Sequence, residues 1–163
     1  MKRLYLIGGT MGVGKTTTCR LLRDRLPNCA FLDGDWCWDM HPFRVTEETK
    51  KMVMSNIRCL LGNFLACSSI RNVVFCWVMH EQTIIDDILS GLPGEYEVVN
   101  VSLVCSPDKL RTRIGKDVCD GKRTEDVIER SLARIEMYDC LETVKLDVSD
   151  ISPAEAAALI AGM

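Results

Sequence analysis

Apolar positions along the chain keep two rhythms in alternation. Nearly unbroken apolar runs at residues 3–7, 29–32, 72–79, 97–104 and 143–148 predict short strands. A strand covered on both faces loses the in-and-out alternation of a half-exposed one. Between the runs, apolar residues return every three or four positions, the spacing of one helix face. Such a stripe covers residues 16–26 through Cys19, Leu22 and Leu26, with Arg20 and Arg23 on another side. A longer stripe follows Thr46 through Val53, Ile57, Leu60, Leu61, Phe64 and Leu65. Thr46 suits an N-cap, and Glu47 and Glu48 suit the positive end of the helix. Ile84, Ile85, Ile88 and Leu89 mark a short helix closed by Pro93-Gly94, and Ser106-Pro107-Asp108 opens another. Val127, Ile128, Ser131, Leu132, Ile135 and Tyr138 predict one helix over residues 124–141, and Ser152 with Glu155 forms a capping box for the last.

Strands alternating with helices imply an α/β fold: a doubly wound, five-stranded parallel sheet with helices on both faces. The run at 72–79 suits a central parallel strand, one buried on both faces. With 163 residues the chain is expected to form a single domain. Residues 115–123 (GKDVCDGKR) carry no apolar pattern and are expected to be a mobile loop.

Composition narrows the class. Hydrophobic residues make up 47% and charged residues 26%, which is globular, and the net charge of −3 argues against a general nucleic-acid binder. Nine cysteines is an odd number and none is spaced C-x-x-C. Cys29, Cys76 and Cys105 lie inside apolar runs, where a thiol acts as a small hydrophobe, so free thiols in a reducing cytosol are expected. The first apolar run is too short for a signal peptide and no run reaches eighteen residues, so no membrane association is expected.

The turn after the first strand reads Gly9-Thr10-Met11-Gly12-Val13-Gly14-Lys15-Thr16-Thr17, a complete G-x-x-x-x-G-K-T between a strand and a helix. Glycines let successive backbone N–H groups point inward around phosphate oxygens, and the helix N-terminus adds its positive end. Lys15 is placed to reach the β- and γ-phosphates of a nucleoside triphosphate, and the Thr16 hydroxyl to ligate Mg²⁺. A GTPase would need a D-x-x-G switch and an N-K-x-D base reader, and the chain has neither. The third run also lacks the metal-directed aspartate that many such proteins carry there. The second supplies Asp33-Gly34-Asp35 instead, at a strand end that faces the ligand crevice. Strand alternation would put both carboxylates on one side.

On these residues the chain resembles the small P-loop kinases, among them gluconate, shikimate, adenylylsulfate and adenylate kinases. LDGD after the second strand is similar to the gluconate and adenylylsulfate kinase motif, and Asp33-x-Asp35 to the shikimate kinase pair. Residues 122–132 (KRTEDVIERSL) are similar to the arginine-bearing lid-to-helix segment of nucleotide kinases. The resemblance implies ATP and Mg²⁺ as cofactors, with the metal held by Thr16 and, through water, by Asp33. It implies Asp35 as the group that takes the proton of an acceptor hydroxyl. Arg123 and Arg130 would close on the transferring phosphoryl from a lid over about 115–123, with Arg111 or Arg113 flanking adenine and residues 148–151 bordering the base.

Trp36 and Trp38 offer a wall for the acceptor or, equally, core packing. Trp77 reads as core, and His80 as a pocket-edge residue or a strand-end hydrogen bonder. Lys109, Arg111, Arg113, Lys116, Lys122 and Arg123 suggest a polyphosphate clamp. The expected activity is ATP-dependent phosphoryl transfer to a small acceptor, such as a nucleoside, nucleotide, sugar acid or antibiotic. An NTP-binding regulator or slow ATPase is the competing class, and a polynucleotide end kinase is weakened by the acidic charge.

Overall fold

The computed structural model describes all 163 residues. Its five strands are β1 (Lys2–Gly9), β2 (Cys29–Asp33), β3 (Asn72–Cys76), β4 (Tyr96–Val104) and β5 (Val144–Asp147). They form one sheet in the order β2-β3-β1-β4-β5, with every pairing parallel. Six helices alternate with them: α1 (Lys15–Arg25), α2 (Glu47–Ala66), α3 (Gln82–Ser90), α4 (Pro107–Cys119), α5 (Asp126–Leu132) and α6 (Pro153–Ala161).

Alternation along β1 divides the interior in two. Tyr5 and Ile7 face a core built with α1, α4, α5 and α6, through Leu22, Ile114, Val127 and Ile160. Leu4 and Leu6 face the other, with Val53, Ile57 and Leu61 of α2 and Ile85 and Ile88 of α3. Burial on both faces explains why β1 and β3 read as continuous apolar runs. From β1 the chain moves across β3 to reach β2, and later returns to the other side of β1 as β4. That reversal opens a crevice at the C-terminal ends of β1 and β3, the place where ligands bind in such sheets.

The structure departs from the sequence expectations in three places. Residues 115–119 are helical, because Leu110, Ile114 and partly buried Val118 extend one stripe beneath the charged positions. The helix stops at a left-handed Gly121 (φ +70°), with the Lys122 N–H donating to the Asp117 carbonyl and the Gly121 N–H to that of Val118. The expected loop therefore shrinks to residues 120–125. Residues 124–141 are not one helix. After α5 the turns tighten to i→i+3 bonds, ending in a 3₁₀ turn at Glu136–Tyr138. Val127 lies in one core whereas Tyr138 and Leu141 lie in the other, and the tightened turns carry the chain between them. Finally, β2 ends at Asp33 and runs straight into a 3₁₀ turn, Gly34–Trp38.

Candidate active site

The loop between β1 and α1 is built from its glycines. Gly9 holds φ +148°, and a Cβ there would fall 2.8 Å from Val13 and 2.9 Å from the Leu103 carbonyl. At Gly12 (φ +81°) a Cβ would sit 2.4 Å from Ile114, so a side chain would push the loop off α4. Gly14 caps α1 in the left-handed region, with no side-chain cap and no acidic residue in the first turn. The first N–H groups of α1 thus stay open to an anion. Lys15 folds back, its ammonium donating to the carbonyls of Gly9 (2.8 Å) and Thr10 (2.9 Å), and desolvation lowers its pKa. The Thr10 hydroxyl donates to the Ser131 carbonyl at 2.9 Å, tying the loop to α5. Met11 packs at the core edge, Val13 is buried within it, and Thr17 is exposed on the first turn of α1.

Beside this loop, Asp33 is buried and accepts two hydrogen bonds: the Thr16 hydroxyl on Oδ2 at 2.7 Å and the Asp35 N–H on Oδ1 at 3.1 Å. The two aspartates do meet at the site, but not by sharing a strand face. Asp35 belongs to the 3₁₀ turn, which Asp33 caps. Burial, and next the charge of Asp33, push the Asp35 carboxyl up, against the opposing pull of Lys15, the Trp77 indole and Arg123. The oxygens of Thr16 and Asp33 lie side by side next to the phosphate loop. That hard-oxygen pair fits Mg²⁺ that takes its remaining ligands from phosphate and water.

Trp77 holds to its expected core position at 9% exposure, yet its indole N–H donates to Oδ1 of Asp35 at 3.1 Å. Gly34 keeps space for this ring rather than for a ligand, since a Cβ there would lie 2.5 Å from Trp77 Cγ. Trp38 packs edge-on against Trp77 (centroids 5.6 Å apart) and Phe43 (5.1 Å), so it is a half-buried wall. Trp36 is 52% exposed, edge-on to Phe31. His80 Nδ1 lies 3.3 Å from the Val78 carbonyl and Nε2 lies 3.6 Å from Glu81, which matches its strand-end reading.

On the far side of the loop a cavity of about 280 Å³ is lined by Gly12, Gly14, Arg113, Val148, Ile151 and Pro153, among others. Arg113 braces it, donating to the carbonyls of Val13 (3.1 Å) and Val148 (2.6 Å). Arg111 is exposed and does not line it. A wider groove of about 440 Å³ between α2 and α3 lies apart from these residues. Its Lys50 and Arg58 already answer to Glu47 and Asp87.

The cations expected over the phosphates divide. Arg123 pairs with Asp117 at 3.1 Å, while its charge still bears on Lys15 and Asp35. Lys122 pairs with Asp120 and Lys109 with Asp150. Arg130 is exposed on α5 and pairs with Asp126 at 2.6 Å, so it does not join the site in this state. Sequence reasoning passed over Arg134, one turn further on. Arg134 is half-buried without a carboxylate partner, and its charge acts on Tyr138, whose ring lies against Gly8 at the root of the loop. Counting one more turn along the arginine-bearing face would have found it.

A family model described as an AAA domain matches residues 6–135. The chain belongs to this family. No curated protein matches it in sequence. Among solved structures, a tunicamycin resistance protein from Deinococcus radiodurans is similar over 99% of this chain and 95% of its own, with a TM-score of 0.68 and 17% identity. A gluconokinase from Sinorhizobium meliloti is similar over 97% and 90%, with a TM-score of 0.65 and 17% identity. A shikimate kinase from Acinetobacter baumannii, solved with shikimate, is similar over 98% and 90%, with a TM-score of 0.61 and 16% identity. This AAA-family chain therefore has the fold of the small P-loop kinases, along nearly its whole length.

Proposed function

We propose that the protein is an ATP-dependent phosphotransferase that moves the γ-phosphoryl of ATP to a hydroxyl of a small acceptor. One observation carries the reading: Asp35 and the Thr16–Asp33 pair meet at the end of β2, beside the phosphate loop. A nucleotide-binding site alone has no need of a second carboxylate held by the Trp77 indole beside the Thr16–Asp33 pair. The shared fold of a gluconokinase and a shikimate kinase supports the same class.

Adenine would enter the cavity against Arg113, Val148 and Ile151, which places the phosphates against the open N–H groups at the start of α1. Lys15 would leave the Gly9 and Thr10 carbonyls for the β- and γ-phosphates. Thr16 and Asp33 would hold Mg²⁺, whose charge neutralises the phosphates. Arg123, released from Asp117, and Arg134 would approach the transferring group, as would Arg130 if closure of residues 120–130 turned it inward. Asp35 would orient the acceptor hydroxyl and take its proton. Trp36, Trp38 and His80 border the acceptor side, where flat apolar surface favours a neutral hydroxyl compound over a second phosphate. No helix is long and apolar enough to cross a membrane.

The test is incubation with Mg·ATP and a pooled panel of metabolites, nucleosides and antibiotics, read by mass spectrometry. A product heavier by about 80 Da identifies the acceptor. ADP release without any phosphorylated product would replace the kinase reading with a slow ATPase.

A further inference from the structure

We propose that Trp77 is the positioning residue of this site, its indole N–H fixing one oxygen of Asp35 so that the other is presented to the acceptor. The inference rests on the reading of Asp35 as proton acceptor. It adds a residue that neither the phosphate-loop motif nor the paired aspartates contain.

A carboxylate needs such a device. The terminal torsion of an aspartate is broad and nearly two-fold, so an untethered carboxylate presents neither oxygen reliably. The Asp35 main chain is fixed by its N–H on Asp33, and the Trp77 N–H at 3.1 Å on Oδ1 fixes the side chain. The donor is itself held on every side. Trp77 is 9% exposed, its backbone N–H donates to the Ile7 carbonyl at 3.3 Å, and Trp38 packs edge-on against its ring. Through Ile7, two residues before Gly9, the indole shares a frame with the phosphate loop. Gly34 completes the fit, because any Cβ there would meet Trp77 Cβ, Cγ and Cδ1 at 2.5–2.9 Å. A ring needed only for packing could be phenylalanine. What tryptophan adds is the N–H, and a charge-assisted bond to a carboxylate is stronger than one to a neutral acceptor.

Three variants of the full chain test it: W77F, D35N and the double variant. W77F keeps a ring against Gly34 and Trp38. It should lower kcat for the acceptor found by the mass screen, or for ATP hydrolysis in its absence, by about 10²-fold, the cost of roughly 1 Å of misplacement. KM for ATP should stay within about twofold. On the D35N background, W77F should cost nothing further, since its effect runs through Asp35. In ¹⁵N spectra the Trp77 indole resonance, assigned by its loss in W77F, should move upfield in D35N while that of Trp36 stays. This readout needs no acceptor. An unmoved Trp77 resonance in D35N, or the same W77F penalty with and without Asp35, overturns the positioning role and leaves the kinase reading intact. Full turnover in D35N overturns the reading of Asp35 and this inference together.

Discussion

Arg130 and Arg134 stand one helical turn apart, and their surroundings are opposite. Arg130 spends its charge on Asp126 in solvent, where such pairs contribute little. Arg134 is half-buried near Tyr138 and the root of the phosphate loop, with no counter-ion. An arginine with no carboxylate to answer is free to meet an anion beside the loop. Arg134→Ala is therefore expected to lower kcat by 10²-fold or more, the scale of losing one charge-stabilising donor, with Arg130→Ala within about tenfold of the parent. Steady-state kinetics of the two variants side by side checks this, and equal losses would return Arg130 to the site. The thiols are also separated by environment. Burial pushes the Cys29 and Cys37 thiols up to about 11, whereas Cys59, Cys67, Cys119 and Cys140 are exposed. Iodoacetamide at pH 8 should modify the four exposed thiols of the native chain and spare the five others, counted by intact mass. The sign for stability follows from the same shift. The folded chain keeps protons on Cys29 and Cys37 that the unfolded chain loses near pH 9. Stability should accordingly fall as pH rises from about 9 to 11, measured by denaturant titration at each pH.

At the scale of elements, the turn that carries Asp35 leans on α2, and α2 depends on how it begins. Thr46 accepts from the Thr49 N–H while the Thr49 hydroxyl accepts from the Thr46 N–H, a reciprocal cap for a twenty-residue helix. That helix also reaches back to the aspartate turn, where the Asn56 amide donates to the Cys37 carbonyl at 2.7 Å. Thr46→Ala should cost about 1 kcal/mol of stability, the usual worth of an N-cap. In a chain of this size that is a loss of roughly 2–4 °C in Tm, read by calorimetry. Much of this was legible: Thr46 as cap, the α2 stripe and the capping box at Ser152 all follow from local chemistry. The ends of α4 and α5 were not. Val118 continues a stripe only because a core lies beneath it, and the turns after Leu132 tighten only because Tyr138 must reach the opposite face of the sheet.

For the whole molecule, the phosphate loop couples nucleotide to fold. Lys15 rests on two carbonyls of its own loop, and the N-terminus of α1 is open. A ligand that binds only the folded chain adds about 2.7 kcal/mol at a hundredfold excess over its Kd. Mg·ATP at that excess should raise Tm by roughly 5–11 °C, by the scaling for chains of this length. EDTA should remove much of the gain, since the Thr16–Asp33 oxygens then lose the cation that draws ATP to them. A shift independent of Mg²⁺ would remove Thr16 and Asp33 as metal ligands.

What the sequence determined by itself is whatever depends on neighbours along the chain. The two hydrophobic rhythms specify an alternating α/β order, the glycine spacing specifies an anion-binding turn, and Asp33 and Asp35 follow the second apolar run closely enough to bring two carboxylates to one end of the sheet. These are short-range facts, written in adjacent residues. Tertiary structure decided what depends on residues brought together from far apart: the placement of Trp77 on Asp35, forty-two positions away, Arg113 on the carbonyls of Val13 and Val148, and the turning of Arg130 outward while Arg134 stays in. No periodicity records these contacts, because they arise only when β2, β3 and α4 meet at one end of the sheet. The acidic and aromatic cluster at residues 33–38 shows both halves of the division. Its aspartates were legible as a pair beside the phosphate loop, and only packing showed that a tryptophan just past β3 holds one of them.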